Sequence, residues 1–269
     1  MKNKIYDCVT FFNENLQVNL RFNILDRYVD KFVICESKFD HRGNPKKLNF
    51  RIEEFDKFKH KIIYIVLKSK FPDISSPWKT QAYQREFLLN NLNEANPEDY
   101  IFFSDPDEIP KPEILINFEL KKKYGIFLQE CFNYKFNLYN PYESPWEGTR
   151  VAKKKNIKSI NFMRQSVRLK NLKYNFYRFD KERSIEVFKK AGWHFNNIMS
   201  VEEISKKLKT FAHTEFSKEE FTSPKIIESK INQKIDLFNR GHQYKAVVLD
   251  SSFPEFLLKN YSLYKSYIL

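Results

Sequence analysis

The chain has 269 residues, a formal net charge of +13, and a composition that is 42% hydrophobic and 17% aromatic. Twenty-seven Phe and fifteen Tyr exclude a disordered chain, while only five Gly and eleven Pro exclude low-complexity and fibrous classes. The length supports a core that needs no staple, and the charge leaves open nucleic acid, an anionic membrane face, a diphosphate-binding cleft or simply a Lys-rich solvated surface.

Met1 to Lys4 leads straight into an apolar, β-rich run from Ile5 to Phe12. A polar turn at Asn13 to Asn15 follows, then Leu16, Leu20, Ile24 and Tyr28 at four-residue spacing, which predicts an amphipathic helix over 16–28. Lys31 to Glu36 and Ile62 to Leu67 read as short strands, separated by a loop with Gly43 and Pro45 as breakers. Trp78 to Leu92 reads as a helix, Tyr100 to Ser104 as a strand, and Pro112 to Leu120 as a helix with Pro112 in its first turn. Strands alternating with helices over the first 120 residues argue for βα units and a mainly parallel sheet. The pattern then changes: Phe132, Tyr134, Phe136 and Leu138 alternate with polar residues, predicting a half-exposed antiparallel strand. Lys153 to Lys158 is a basic loop, and short strands are expected at Ser166 to Leu169 and Glu186 to Phe188. Ser200 with Glu203 and Ser217 with Glu220 have the spacing of capping boxes, and the aromatic segment Phe253 to Tyr264 is expected to pack back on the core. No internal repeat or linker divides the chain.

Cys8, Cys35 and Cys131 all lie in apolar strand-like runs and form no Cys-x-x-Cys pair, so buried reduced thiols are expected. No segment approaches the roughly 20 apolar residues that span a bilayer, and no signal-peptide apolar region is visible. The expectation is a cytoplasmic protein, with peripheral contact at the inner membrane face as its furthest membrane association.

The strongest chemical signal is Phe102-Phe103-Ser104-Asp105-Pro106-Asp107-Glu108-Ile109-Pro110, an apolar strand that delivers three carboxylates into a turn at its carboxyl end. Open α/β sheets bind ligands at that end, and carboxylates two residues apart can face a hard divalent cation, which also takes phosphate oxygens. The competing reading is an Asx-turn bent by Pro106, and the spacing alone weighs the two equally. A second signal is Ala191-Gly192-Trp193-His194-Phe195, with a backbone that can approach closely, a flat ring and an imidazole; by itself it fits a strand with a buried Trp better. Phe211-Ala212-His213-Thr214-Glu215-Phe216 is a third, and Glu36 and Gln84-Arg85-Glu86 lie near predicted strand ends. There is no Gly-rich phosphate loop, no nucleophile elbow and no His-Glu-x-x-His pair.

These motifs occur in one order. Tyr6-Asp7-Cys8 through Phe11-Phe12-Asn13-Glu14, Val29 to Ser37, Gln84-Arg85, Ser104 to Pro110, Gly192 to Phe195 and Lys209 to Phe216 together resemble glycosyltransferase family 17, over about residues 5–240. The resemblance implies a GT-A-like, Rossmann-like α/β fold with a mainly parallel sheet flanked by helices and an antiparallel extension in the C-terminal half. It implies one domain over 1–269, with 1–120 as the nucleotide-sugar half and 121–269 as the acceptor half. It also implies a UDP-sugar donor, UDP-N-acetylglucosamine in the animal enzymes, Mn²⁺ or Mg²⁺ dependence, and inversion at the anomeric carbon. Carried over by position, Asp105 and Asp107 match the metal and donor motif, with Glu108 beside them, and His194 matches the late Gly-Trp-His element; Asp105, Asp107 and His194 are the expected metal ligands, and Asp105, Glu36, Arg85, Trp193 and His213 are the candidates at the donor. Glu130 and Glu215 are the candidate general bases. The animal enzymes have a membrane anchor and a Golgi setting; with neither visible here, a bacterial or viral glycan such as lipopolysaccharide or capsule sugar is the expected acceptor. The rival readings are a nucleic-acid-binding protein stacking bases on elements such as Tyr174 to Arg183, and a metal-dependent phosphodiesterase, for which five scattered His are few.

Overall fold

The computed structural model describes residues 3–165, 175, 177, 178, 180–210 and 218–269. The fold is α/β. Strands β1 (Ile5–Phe11), β2 (Lys31–Ser37), β3 (Ile62–Leu67) and β4 (Tyr100–Ser104) form a parallel set in the order β3-β2-β1-β4. Beyond β4 the sheet turns antiparallel through β8 (Trp146–Lys153) and β6 (Tyr124–Asn133), and ends in β7 (Leu138–Tyr139) and β11 (Lys245–Ala246). Off this path, β9 (Ile185–Phe188) and β10 (Gly192–Asn196) run parallel to β6, and β5 (Glu108–Pro110) pairs antiparallel with β10. The mainly parallel first half and antiparallel extension expected from the sequence are both present.

Two apolar layers cover the sheet. Ile5, Val9, Phe32, Ile34, Tyr100 and Phe102 face α1 (Asn15–Leu25), while Tyr6, Cys8, Val33, Cys35, Ile101 and Phe103 face the side of α2 (Pro77–Asn90). The alternation is that of strands buried on both faces. Ser76 caps α2 by accepting the Trp78 N–H, with Pro77 at the first helical position. Helix α1 is not amphipathic: Gln17, Val18, Leu20, Arg21, Phe22, Ile24 and Leu25 are all buried. It lies between the sheet and the C-terminal helix Glu255–Lys259, so the aromatic C-terminal segment does return to the core.

Three local expectations change. The helix from Pro112 stops at Leu115 (α3), and Asn117 takes a left-handed backbone. The alternating stretch 132–138 is no half-exposed strand. Tyr134 has φ +67, the chain turns there, and Asn133 and Asn137 are buried with Phe132, Phe136 and Leu138. Residues 52–61, unassigned from sequence, form a 3-10 helix that sets Phe55 and Phe58 against Phe22. The Ser200–Glu203 box opens the helix Val201–Thr210: the Glu203 N–H donates to Ser200 Oγ and the Ser200 N–H to Glu203 Oε2. Ser166 to Leu169 and Ser217 lie outside the described residues. No described helix is long and apolar enough to cross a membrane.

Candidate active site

The strand order reverses at β1, with β2 on one side and β4 on the other. Such a reversal opens a crevice at the carboxyl ends of the strands. Glu14, just past β1, and the turn Asp105-Pro106-Asp107, just past β4, line it.

A buried polar network holds the turn from below. Arg21 on α1 is fully buried and forms a two-pronged pair with Asp7 of β1, at 2.6 and 2.5 Å. Its remaining donors reach the Glu108 carbonyl (2.7 Å) and Ser104 Oγ (3.0 Å), and Ser104 Oγ bonds Thr149 Oγ1 (2.8 Å). One guanidinium thus fixes β1, the end of β4 and the start of β5, which is the geometry for which Arg is suited over Lys.

From the other face come Arg85 on α2 and Arg164, just after α4 (Ile160–Met163). Each donates to one oxygen of Asp105 at 3.0 Å, and each stacks over Phe103 at 5.8 Å. Burial would raise the Asp105 carboxyl, but Arg164 and Arg85 outweigh it and hold it far below the usual carboxylate range. Glu108 is 0% exposed and saturated. Its oxygens accept Trp146 Nε1 (2.8 Å), the Asp105 N–H (2.9 Å) and two Arg164 bonds (3.0 and 3.1 Å). Glu108 therefore shapes the turn and has no oxygen left to offer a ligand.

Asp107 is placed differently. Its side chain is 16% exposed, and Oδ1 lies 3.6 Å from His194 Nε2. The β5–β10 register sets His194 opposite Glu108, and the Phe195 N–H donates to the Asp107 carbonyl at 2.9 Å. Burial would lower the His194 imidazole, but the adjacent Asp107 carboxylate and Cys131 hold it well above its ordinary value. Trp146 packs over the ring at 4.7 Å.

Gly192 makes the pairing close. With φ +150, a Cβ there would meet the Ile109 carbonyl at 2.2 Å and Pro110 Cα at 2.9 Å. Gly192→Ala is expected to pry β10 from β5 and to add about 1–3 kcal/mol of backbone strain to that displacement. Denaturant unfolding should show the lost stability, and any ligand binding that depends on Asp107 and His194 together should weaken with it.

Asp107 and His194 are thus brought together, with Asp105 and Arg85 beside them as one ion pair. The other expected residues fall elsewhere. Trp193 is 3% exposed, lies in the core against Phe195, and donates Nε1 to the Ser252 carbonyl at 3.0 Å; it is no sugar platform. Glu130 is the register partner of Trp193, on the face of β6 opposite Cys131, so it does not join the Asp107 cluster. Glu36 is 0% exposed and its oxygens take Lys46, Tyr64 and the N–H groups of Asn49 and Phe50, so it staples the 46–50 loop rather than facing the crevice. His213 and Glu215 lie outside the described residues, as does much of Tyr174 to Arg183.

Sequence reading gave no site role to Asp7, Arg21, Trp146, Arg164 or Glu14, although Asp7 and Glu14 lie in the motifs that carry the resemblance. Burial raises the Glu14 carboxyl, with Lys207 opposing and Asp107 reinforcing the shift. Arg21 carried a signal of its own, as a charge among the apolar positions of a helix.

No group of three or more His, Cys, Asp and Glu forms a cation cage among the described residues. Mg²⁺ seldom uses such cages; it binds one or two carboxylates and completes the shell with water and phosphate oxygens. Asp107 supplies one such carboxylate, with the His194 imidazole beside it, whereas Asp105 is already neutralised by two guanidiniums.

Against known proteins, the sequence profile of glycosyltransferase family 17 matches residues 1–249. The β-1,4-mannosyl-glycoprotein 4-β-N-acetylglucosaminyltransferases of Rattus norvegicus and Homo sapiens are each 32% identical over 117 residues, covering 40% of this chain. The match spans only 22% of either relative's length. Among solved structures, HddC of Yersinia pseudotuberculosis aligns over 71% of this chain and 92% of its own, with 10% identity and a TM-score of 0.37. The apo-form glycosyltransferase GlyE of Streptococcus pneumoniae TIGR4 aligns over 68% and 41%, with 10% identity and a TM-score of 0.31. Likenesses that distant carry no weight for the site.

Proposed function

The chain belongs to glycosyltransferase family 17, and from that premise we propose that it moves a sugar, N-acetylglucosamine first among candidates, from a UDP-sugar to a glycan hydroxyl with inversion, on a GT-A-like fold and with Mn²⁺ or Mg²⁺. The acceptor we propose is a glycan. The observation that carries the reading is the Asp107–His194 pair, 3.6 Å apart at the carboxyl end of β4, where the strand order reverses.

A divalent cation bound there would neutralise charge that builds on the leaving diphosphate. Asp107 and His194 are the residues to hold it. Asp105 is not a ligand in this arrangement. It pairs with the guanidiniums of Arg85 and Arg164, and together with Glu108 they form a charge-balanced set that fixes the turn. Glu108 and Arg21 keep the turn from moving as charge develops, and preorganisation of this kind makes electrostatic stabilisation effective. The transfer also needs a base to take the acceptor hydroxyl's proton, and Glu130, on the face of β6 away from Asp107, is not placed to be that base.

Calorimetric titration of UDP and UDP-N-acetylglucosamine, with and without Mn²⁺, tests the reading. Binding is expected only with Mn²⁺ and is expected to vanish in Asp107→Ala. If UDP binds and UDP-N-acetylglucosamine does not, the sugar assignment changes and the family chemistry stands. Absence of nucleotide binding under every metal condition would overturn the site.

A further inference from the structure

The wall of the crevice beyond His194 carries an exposed aromatic ring that has no part in the Asp107–His194 pair. Strand β8 runs antiparallel to β4 with Phe103 opposite Arg150, so Trp146 and the loop 140–145 before it stand beyond the carboxyl end of β4, on the crevice side. The strand order sets them on the flank of β4 opposite β1. Trp146 packs over His194, and Tyr142, in the loop just before it, is 53% exposed. The Tyr142 ring lies flat on the His242 ring, with centroids 4.2 Å apart and planes 2° from parallel. The two rings come from separate loops, and an ion pair between Glu143 and Arg240 at 2.8 Å ties the same loops together. Each loop is also braced from within. Asn140 Oδ1 accepts the N–H groups of Tyr142 and Glu143 at 3.0 and 3.2 Å. Arg240 Nη2 donates to Asp236 at 2.7 Å, and the Asp236 N–H donates to the His242 carbonyl at 3.1 Å. One face of Tyr142 is thus backed and its direction fixed, while the rest of the ring meets solvent.

We propose that Tyr142 is a sugar-binding platform: a sugar ring of the acceptor stacks on its open face, with the Arg240 guanidinium and the Glu143 carboxylate beside it to donate to and accept from the hydroxyls. A sugar carries C–H bonds on its faces and hydroxyls around its edge. It therefore suits a flat apolar surface with a few placed polar groups, and the negative face of an aromatic ring attracts the C–H side. Tyr supplies such a surface at little cost in side-chain entropy, and here the stack on His242 has already fixed it. Trp193, enclosed against Phe195, cannot do this. A donor in the crevice between β1 and β4 leaves the Tyr142 flank to the acceptor. That the sugar belongs to the acceptor rests on the transferase reading; that Tyr142 takes a sugar does not.

The test is NMR on the full chain with its tyrosine rings labelled with ¹³C, the Tyr142 signals being those lost in Tyr142→Phe. The probes are the methyl β-glycosides of mannose, galactose, glucose and N-acetylglucosamine. At least one should shift the Tyr142 ring signals in a saturable way, and saturation transferred from the aromatic protons should mark the C–H groups on one face of that sugar. Tyr142→Phe, which keeps the flat ring, should retain the binding. Tyr142→Ala, checked for folding by its melting curve, should lose affinity by on the order of tenfold or more, as when an aromatic anchor is truncated. The ring shift is read on the wild type, so the test does not depend on Tyr142→Ala folding. Binding that leaves the Tyr142 ring unshifted, equal affinity in Tyr142→Ala, or a wild type that binds none of the probes overturns the proposal. If Tyr142 responds as expected and UDP binds under no metal condition, the sugar site stands and the transferase reading falls.

Discussion

Arg21→Met should unfold at a temperature roughly 6–20 °C below the wild type. Removing one member of a buried ion pair strands the other charge and costs about 3–5 kcal/mol, and each kcal/mol is worth roughly 2–4 °C in a chain of this size. The Asp7 carboxylate is 2% exposed, and the Glu108 carbonyl and Ser104 Oγ lose donors in the same step. The loss should be shared: Asp7→Leu should be nearly as harmful, because it leaves Arg21 charged and buried. The double variant Asp7→Leu/Arg21→Met should be more stable than either single one, since two apolar side chains of similar volume need no solvation. Thermal and denaturant melts of the four proteins form the cycle. A double variant that merely adds the two single losses would show that Arg21 and Asp7 act separately, and the picture of one guanidinium tying β1 to β4 and β5 would be lost.

Asp107→Asn is expected to do the reverse: keep the fold and lose the chemistry. The change is nearly isosteric, the side chain is partly open, and the backbone carbonyl that accepts the Phe195 N–H is untouched. The fold should persist, with the melting temperature lowered only by the lost charge pairing with His194, roughly 2–4 °C for each kcal/mol of that pairing. Mn²⁺-dependent release of UDP from UDP-N-acetylglucosamine should fall by on the order of 10³, the size of effect seen when one preorganised electrostatic contact to developing charge is removed. Hydrolysis of the donor is the useful assay, because it needs no acceptor. Glu108→Ala is the contrast. It removes the acceptor of the Trp146 N–H, of the Asp105 N–H and of two Arg164 bonds, leaving Arg164 only Asp105, so it should lower stability first and activity only through the displaced turn. Full UDP release by Asp107→Asn would remove Asp107 from the donor site.

The two substitutions separate what neighbouring carboxylates do, and sequence spacing could not have separated them. Asp105, Asp107 and Glu108 read alike as oxygen donors on a turn. Their fates were decided by residues far off in the chain: Arg164 and Arg85 for Asp105, Trp146 and Arg164 for Glu108, His194 for Asp107. Trp193 misled for a related reason. A Gly-Trp-His strand must put Trp and His on opposite faces, and nothing local states which face is the core.

Local patterns determined a good deal. Apolar runs ending in turn residues placed β1 to β4, the capping box at Ser200 placed one helix, and the ordered motifs pointed to the family. Those signals are short-range, set by side-chain period and by hydrogen bonds over three or four residues, so they are written in contiguous sequence. The tertiary structure alone decided the charges. It buried Arg21 under the turn, saturated Glu108, and left Asp107 beside His194. It also turned the alternating 132–138 run into a buried bend, with Asn133 and Cys131 arranged behind the imidazole. The physical reason is that a charge or a polar atom in the interior is stable only when its partners are supplied in full. Those partners come from 14 to 87 residues away for Arg21 and 56 to 59 for Arg164, distances over which sequence periodicity carries no information.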